Sequence, residues 1–514
     1  MQLRKLKYSR VDILAAAAAT DDEATAGQRT HDEELASSSA SADDEARAAA
    51  AAGEKKEGRG QVVEQEQESS QDERGVNVKG TGLERTLGWK GAAFNAAAYS
   101  IALGVLSIPK AAATMGEGAF VILSVFFSFI TWYTATTYSR LQKHYPGVHS
   151  LTDAGDLIFG PAGREFFGFC QALFSVLLCG NHVLLGATAF QALGWRSCAI
   201  ALNVVFAIIS FIFTLPRSYQ LFARLAFVSM FCIVSTVIIV MIASGISGPQ
   251  NQPAGSPPVR PYKGFGSILD DNVDFLDGML AVTNLFVSFG SSPCYLPLLA
   301  EMRSPRDFKK SMIALISFQL VLYIVVGTVV YHNLGQYVTS PSIGSLSPVM
   351  QKVSYGVALP TILLAGCESG QVVSKQLYVR VLRARPSLKQ GGKAQRRSPR
   401  ASSWLVWTLI NVVVWTAAWI LAELIPFFSS FLGVESAALW TLFVAFAAIF
   451  HLFLSRGKLF RDPWNTVQTI VALFIIAFSA FVMVAGVWAA AISIRDSYAA
   501  GIVGRPFSCE IPKA

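Results

Sequence analysis

Ser288-Phe289-Gly290-Ser291-Ser292-Pro293-Cys294-Tyr295-Leu296-Pro297 interrupts an apolar run over residues 277–299. Such a run is long enough to cross about 30 Å of hydrocarbon as a helix. Its centre is nevertheless poor in helix formers. Proline removes an intrahelical hydrogen bond and clashes with the preceding turn, and glycine tolerates the unwound conformation that results. A second stretch, Tyr99-Ser100-Ile101-Ala102-Leu103-Gly104-Val105-Leu106-Ser107-Ile108-Pro109, does the same to the run over 91–115. In lipid every backbone N–H and C=O needs a partner, so non-helical backbone at that depth survives only against protein or a watery cavity. The freed N–H groups and half-helix N-termini can then hold an anion such as a carboxylate.

Outward from these breaks the chain repeats one theme. Apolar runs fall at 91–115, 119–141, 165–193, 198–215, 221–247, 277–299, 311–331, 349–379, 402–424, 427–454 and 466–494, which predicts eleven membrane helices. The composition agrees. Of 514 residues 53% are hydrophobic and 15% charged, against about 25% charged in a soluble domain. Mean hydropathy is +0.45. The alternating ten-residue strands of an outer-membrane barrel are absent. The expected class is therefore an all-α membrane protein.

The breaks lie in spans one and six. They are five apart in span number, and five is odd, so two units of five spans have opposite orientation. This is the pattern of an inverted-repeat transporter whose site lies between two broken helices. That site is expected at Ala102, Leu103, Gly104, Val105, Ser288, Phe289, Gly290 and Ser291, with Asn95 and Asn284 flanking the breaks.

Orientation follows from lysine and arginine near the span ends. One set of loops carries Arg140, Lys143, Arg164, Arg217, Arg303, Arg306, Lys309 and Lys310, then the basic run over 380–400, then Arg456, Lys458 and Arg461. The other carries Lys110, Arg196, Arg260, Lys263 and Lys352. The richer set is expected in the cytoplasm, with the N-terminus. The net charge of +8 thus reports topology first rather than nucleic acid, and the basic run over 380–400 offers a contact for anionic lipid headgroups. An odd number of spans puts residues 495–514, a short C-terminal tail, on the non-cytoplasmic side. Residues 1–82 alternate Ala-rich and acidic runs, such as Asp21-Asp22-Glu23, with Ser and Gln, and have no aromatic after Tyr8. Such a segment cannot bury a core and is expected to be a disordered tail, distinct from a transporter domain over 83–494. The 7 cysteines show no CxxC spacing and, apart from Cys509, lie in or beside apolar runs. They read as small buried hydrophobes, with no disulfide framework and no zinc site.

Ionisable groups at membrane depth are costly and usually functional. His182 lies deep in span three, and an ordinary histidine titrates near 6.5, within the range found across cell membranes. Glu368 lies near the middle of span eight, where burial favours a neutral carboxyl able to carry a proton. These two are the proton-coupling candidates. The bland alternatives are a histidine bonded to a neighbouring helix and a carboxyl paired with Lys375. Glu423 and Glu435 lie nearer the outer ends of their spans, where exposure is the simpler account. Asn181, Asn203, Gln319 and Asn411 read as interhelical hydrogen-bond partners.

At these residues the chain resembles the amino acid/auxin permease family, and looks closest to neutral amino acid permeases of filamentous fungi. Asn95, Ala102, Gly104, Leu106 and Pro109 stand where the family has its opening Asn, small-x-Gly break and closing proline. Thr152-Asp153-Ala154-Gly155 through Phe159-Gly160 resembles a family cytoplasmic loop. So do Gly180-Asn181-His182, Ser288-Phe289-Gly290, Glu301-Met302-Arg303, Leu377-Tyr378-Val379-Arg380 and Ala422-Glu423 with Ile425-Pro426 their family counterparts. The resemblance covers roughly 83–494. It departs at Ala102, where the family often has glycine, and at Glu368 and Gln371, where relatives tend to carry Tyr and His. It implies a proton-coupled carrier of neutral amino acids in the plasma membrane, with a vacuolar membrane as the alternative, and no cofactor.

Two other functions fit the same residues. Sodium could replace the proton, with Ser107, Ser288, Ser291 and Ser292 as oxygen ligands. An amino-acid sensor could signal through the N-terminal tail. An enzyme is disfavoured, since the chain has no HExxH, GxSxG or Walker loop.

Overall fold

The structure is a computed structural model that describes residues 85, 87–217, 219–252, 255–260, 262–268, 274–384, 399–499, 507 and 509. The N-terminal tail, most of the basic run after residue 384 and most of the C-terminal tail lie outside the described residues.

The described residues form helices and no sheet. In chain order they are α1 (Trp89–Met115), α2 (Glu117–His144), α3 (Leu151–Leu193), α4 (Ala199–Thr214), α5 (Tyr219–Ser247), α6 (Phe275–Ser288), α7 (Ser292–Glu301) and α8 (Phe308–Leu334). There follow α9 (Pro348–Ala384), α10 (Pro399–Leu424), α11 (Phe428–Glu435), α12 (Thr441–Leu454) and α13 (Pro463–Ala499). Among the described residues nine helical segments are long and apolar enough to cross a membrane, and the bent α1 makes a tenth. α4 is shorter, at 16 residues, or about 24 Å at 1.5 Å per residue.

Burial sorts these helices into inner and outer. In the α6–α7 segment 89% of the apolar window is buried, against 33% in α13. Phe474, Phe481, Val484 and Trp488 stand exposed along α13, as do Phe227, Phe231 and Ile242 along α5. These are lipid-facing surfaces, for which no water-exclusion argument is needed.

The two breaks differ. α1 is not unwound at Gly104, as the sequence suggested, but stays helical and turns by 51° between Trp89–Ala102 and Gly104–Met115. Pro109 within the helix leaves a carbonyl one turn back without its usual donor. Two serines bond other carbonyls of the helix: the Ser107 hydroxyl donates to the Gly104 carbonyl at 2.8 Å and Ser100 to the Ala96 carbonyl at 3.0 Å, back-bonding of the kind that bends helices. The second break is complete, with residues 289–291 outside both α6 and α7. Its carbonyls are met from elsewhere. The Ser288 carbonyl accepts from Gln319 Nε2 at 2.7 Å and from the Tyr323 hydroxyl at 2.8 Å, and the Phe289 carbonyl accepts from Thr131 Oγ1 at 3.2 Å.

Backbone ties hold the ends of these elements. Before α1, Leu87 N–H donates to the Glu301 carbonyl at 3.0 Å, and Arg303 N–H donates to the Leu87 carbonyl at 2.9 Å. Before α6, Gly266 and Ile268 donate to the Met115 and Ala113 carbonyls at 3.0 and 3.2 Å, at the end of α1. Gly116, with φ +86°, lets the strand of chain approach: a β-carbon there would lie 2.9 Å from the Phe265 Cα.

Two local expectations are revised. The segment from Leu151, read as a loop, is the start of α3, capped by the Ser150 side chain accepting from Asp153 N–H at 3.2 Å. It kinks at Gly160, with φ +67°, before Pro161. The cysteines do include a bridge: Cys198, at the start of α4, is bonded to Cys509. A separation of 311 residues carries no spacing signal, so only the fold brings the two together. Cys170, Cys179, Cys294 and Cys367 are free and buried, as expected.

Candidate functional site

Gly104 brings the two interrupted elements together. A β-carbon on Gly104 would lie 2.7 Å from the Ser288 Cα, so the bend of α1 rests directly on the last turn of α6. Ala102 and Val105 flank it and are buried, and the Leu103 side chain lies outside the described residues. Opposite, Phe289 is wholly buried with its ring against Tyr323. Gly290 is closed in by the Val287 carbonyl and the Trp440 ring, at 2.6 and 3.1 Å from a would-be β-carbon. Ser291 shares a 2.8 Å hydrogen bond with the Tyr295 hydroxyl, and Ser292, at the first position of α7, has a hydroxyl with no partner among the described residues. Pro293 has no N–H and the Cys294 N–H donates to the Ser291 carbonyl at 3.1 Å, so the half-helix offers a carboxylate the Ser292 hydroxyl and the positive end of its dipole.

The flanking asparagines differ in state. Asn95 is buried and neither of its amide atoms has a partner among the described residues. Asn284 donates to Ser429 Oγ at 2.8 Å, tying α6 to α11, and its Oδ1 is unpartnered. A buried polar atom without a partner costs about 1–3 kcal/mol, so each of these atoms marks a place suited to meet something polar.

The proton-coupling candidates are both buried. His182 Nδ1 bonds the Leu178 carbonyl of its own helix at 2.8 Å, and Nε2 has no partner. Its Cβ packs on α9, 2.9 Å from a would-be β-carbon on Gly366. Glu368 is buried one half-turn further along α9 and makes no hydrogen bond or ion pair among the described residues. The proposed pairing of Glu368 with Lys375 does not form: Lys375 Nζ meets Glu301, the last residue of α7, at 3.6 Å.

Glu423 and Glu435 are not exposed. Glu423 is 6% exposed and accepts from Asn203 Nδ2 at 2.9 Å. Glu435 is 0% exposed and accepts from Asn181 Nδ2 at 2.9 Å. The interhelical role expected of Asn181 and Asn203 is thus directed at carboxyls. Depth was readable: eight residues past 427 at 1.5 Å per residue puts Glu435 about 12 Å into its span. The π turn Ser436–Trp440 that follows it carries no sequence signal. Tyr99 was also missed. It is buried, and its hydroxyl has no partner among the described residues.

Among the described residues no group of three or more His, Cys, Asp or Glu is arranged to hold a metal ion. A cavity of about 360 Å³ lies away from the breaks, between the start of α6 and the end of α13, bordered by Asp274, Asp277 and Asp496.

Residues 85–492 match a family model described as transmembrane amino acid transporter protein. The N amino acid transport system protein of Neurospora crassa is 31% identical over 438 residues, covering 82% of this chain and 88% of that protein. A transmembrane transporter of Gibberella moniliformis is 27% identical over 436 residues, covering 84% of this chain and 89% of its own length. The crystal structure of MhsT in complex with L-phenylalanine aligns with a TM-score of 0.47 at 10% identity, over 76% of this chain and 98% of that one.

Proposed function

The chain belongs to the transmembrane amino acid transporter family, the amino acid/auxin permeases, and on that premise we propose that it is a secondary active transporter of neutral amino acids, coupled to protons and working by alternating access. The observation that carries this reading is the complete break at 289–291, with its carbonyls satisfied by α2 and α8 and Gly104 of the bent α1 against it. Backbone unwound at this depth is a binding surface rather than a defect when neighbouring helices are built to hold it.

The substrate carboxylate sits at the start of α7, bounded by Ala102, Leu103, Gly104 and Val105 on one side and Ser288, Phe289, Gly290 and Ser291 on the other. Asn95 and Asn284 flank it. The coupling proton is carried by His182 or Glu368. α4 crosses the membrane as an eleventh span, and two inverted units of five carry the site between them. The reciprocal ties support that repeat: the chain before α1 binds the end of α7, and the chain before α6 binds the end of α1. The Cys198–Cys509 bond supports a non-cytoplasmic C-terminus, since disulfides persist on the oxidising side. Anionic lipid meets the basic run, and the plasma membrane is the site of action.

Radiolabelled uptake by a transporter-deficient cell, across a panel of amino acids at two external pH values and with sodium removed, tests the reading. Concentrative uptake of neutral amino acids that strengthens at acid pH is expected. Uptake that collapses without sodium would replace the proton by sodium, and no uptake at all would sink the transport reading.

A further inference from the structure

Glu435 has no part in the mechanism above, yet it is the most completely buried carboxyl among the described residues. It closes α11, immediately before the π turn Ser436–Trp440. Turns of this kind are rare and frequent at functional sites. Asn181 Nδ2 holds Oε2 at 2.9 Å, and Oε1 has no partner. No lysine, arginine or histidine lies within salt-bridge distance of it among the described residues. A carboxyl removed from water without a counter-charge carries a penalty of several kcal/mol. The Asn181 bond meets one oxygen only, and the other is left for a partner from outside the protein.

Two packing relations say where this turn of helix lies. Two residues before Glu435, a β-carbon on Gly433 would lie 3.6 Å from the unpartnered Asn284 Oδ1, beside the break. Across the π turn, the Trp440 ring stands against Gly290 in the gap between α6 and α7. The carboxyl is therefore on the wall of the same locus. Its free oxygen accepts hydrogen bonds, so its complement is a donor, and a cationic donor is the one that would hold the carboxyl in its ionised form.

We propose that Glu435 Oε1 receives the α-ammonium group of the substrate, with Asn181 fixing the other oxygen, and that Glu435 is what separates amino acids from otherwise identical acids that lack the ammonium. This rests on the transport reading of the site. The two ends of a zwitterion are then divided between the start of α7, which takes the carboxylate, and the end of α11.

The test compares L-alanine with L-lactate, or the equivalent pair for the neutral amino acid taken up best, as competitors of labelled uptake by the full chain in cells. The wild type should strongly prefer the amino acid. In Glu435→Gln that preference should shrink by about 10- to 100-fold, the range of a hydrogen bond to a charged group. KM for the amino acid should rise while inhibition by the hydroxy acid stays as it was. An unchanged ratio, with both compounds weakened equally, would make Glu435 structural and overturn the proposal. Should the variant not reach the membrane, the wild type itself decides. A hydrophobic carbodiimide is expected to modify Glu435, read by mass spectrometry, with protection by the amino acid and none by the hydroxy acid. Equal protection by both, or by neither, overturns the proposal. That second measurement reads binding alone, so it stands even if the wild type moves no amino acid and the transport reading fails.

Discussion

Gly104 and Ser288 are in contact through their backbones: a single added methyl on Gly104 would lie 2.7 Å from Ser288 Cα, Cβ and Oγ together. Backbone cannot swing away as a flexible side chain can. Gly104→Val is expected to reach the membrane but lose uptake by tenfold or more, with overpacking costing about 1–3 kcal/mol. Near-normal uptake at normal surface level would place the site elsewhere.

The Ser288 carbonyl has two donors, Gln319 and Tyr323, at 2.7 and 2.8 Å. Tyr323→Phe alone leaves it one bond. Adding Gln319→Leu leaves a buried carbonyl bare, at about 1–3 kcal/mol. Thermal unfolding of the purified chain should therefore show a double variant that loses more than the sum of its singles. Simple additivity would mean that the two bonds act independently.

His182→Gln and Glu368→Gln separate the coupling candidates. The one that carries the proton should lose the dependence of uptake on external pH while exchange of substrate across the membrane survives. If both keep the wild-type profile and still concentrate substrate, neither carries the proton.

Cys509 should be unreactive in intact cells and become reactive toward a membrane-impermeant maleimide in Cys198→Ser. Labelling only after permeabilisation would reverse the topology inferred from the basic loops.

Much of this was legible in residue order. The apolar runs located the helices to within about five residues, except at α3, which begins at Leu151 rather than 165, and Ser288 to Pro297 located the complete break. Gly104 was recognised as special but for the wrong local geometry. Its proline lies five residues on, and Ser100 and Ser107 bond carbonyls around the bend, so the helix curves instead of opening. What stayed hidden depended on distance in sequence. Glu435 and Asn181 are 254 residues apart, and Cys198 and Cys509 are 311 apart. A carboxyl near a span end reads the same whether a neighbouring helix covers it or water does. Lys375 was likewise within two turns of Glu368 along one helix, but Glu301 arrives from another.

The reciprocal ties at Leu87 and at Gly266 and Ile268 make a crossed linkage. Each interrupted rod is fastened at its far end to the lead-in of the other, so neither has a loose end to swing alone. A displacement imposed at Leu87 reaches Met302 through the Glu301 and Arg303 bonds as directly as it reaches α1. Slack inserted at residue 88 would fall between Leu87 and α1. It would leave both knots tied and uncouple one rod from its lead-in.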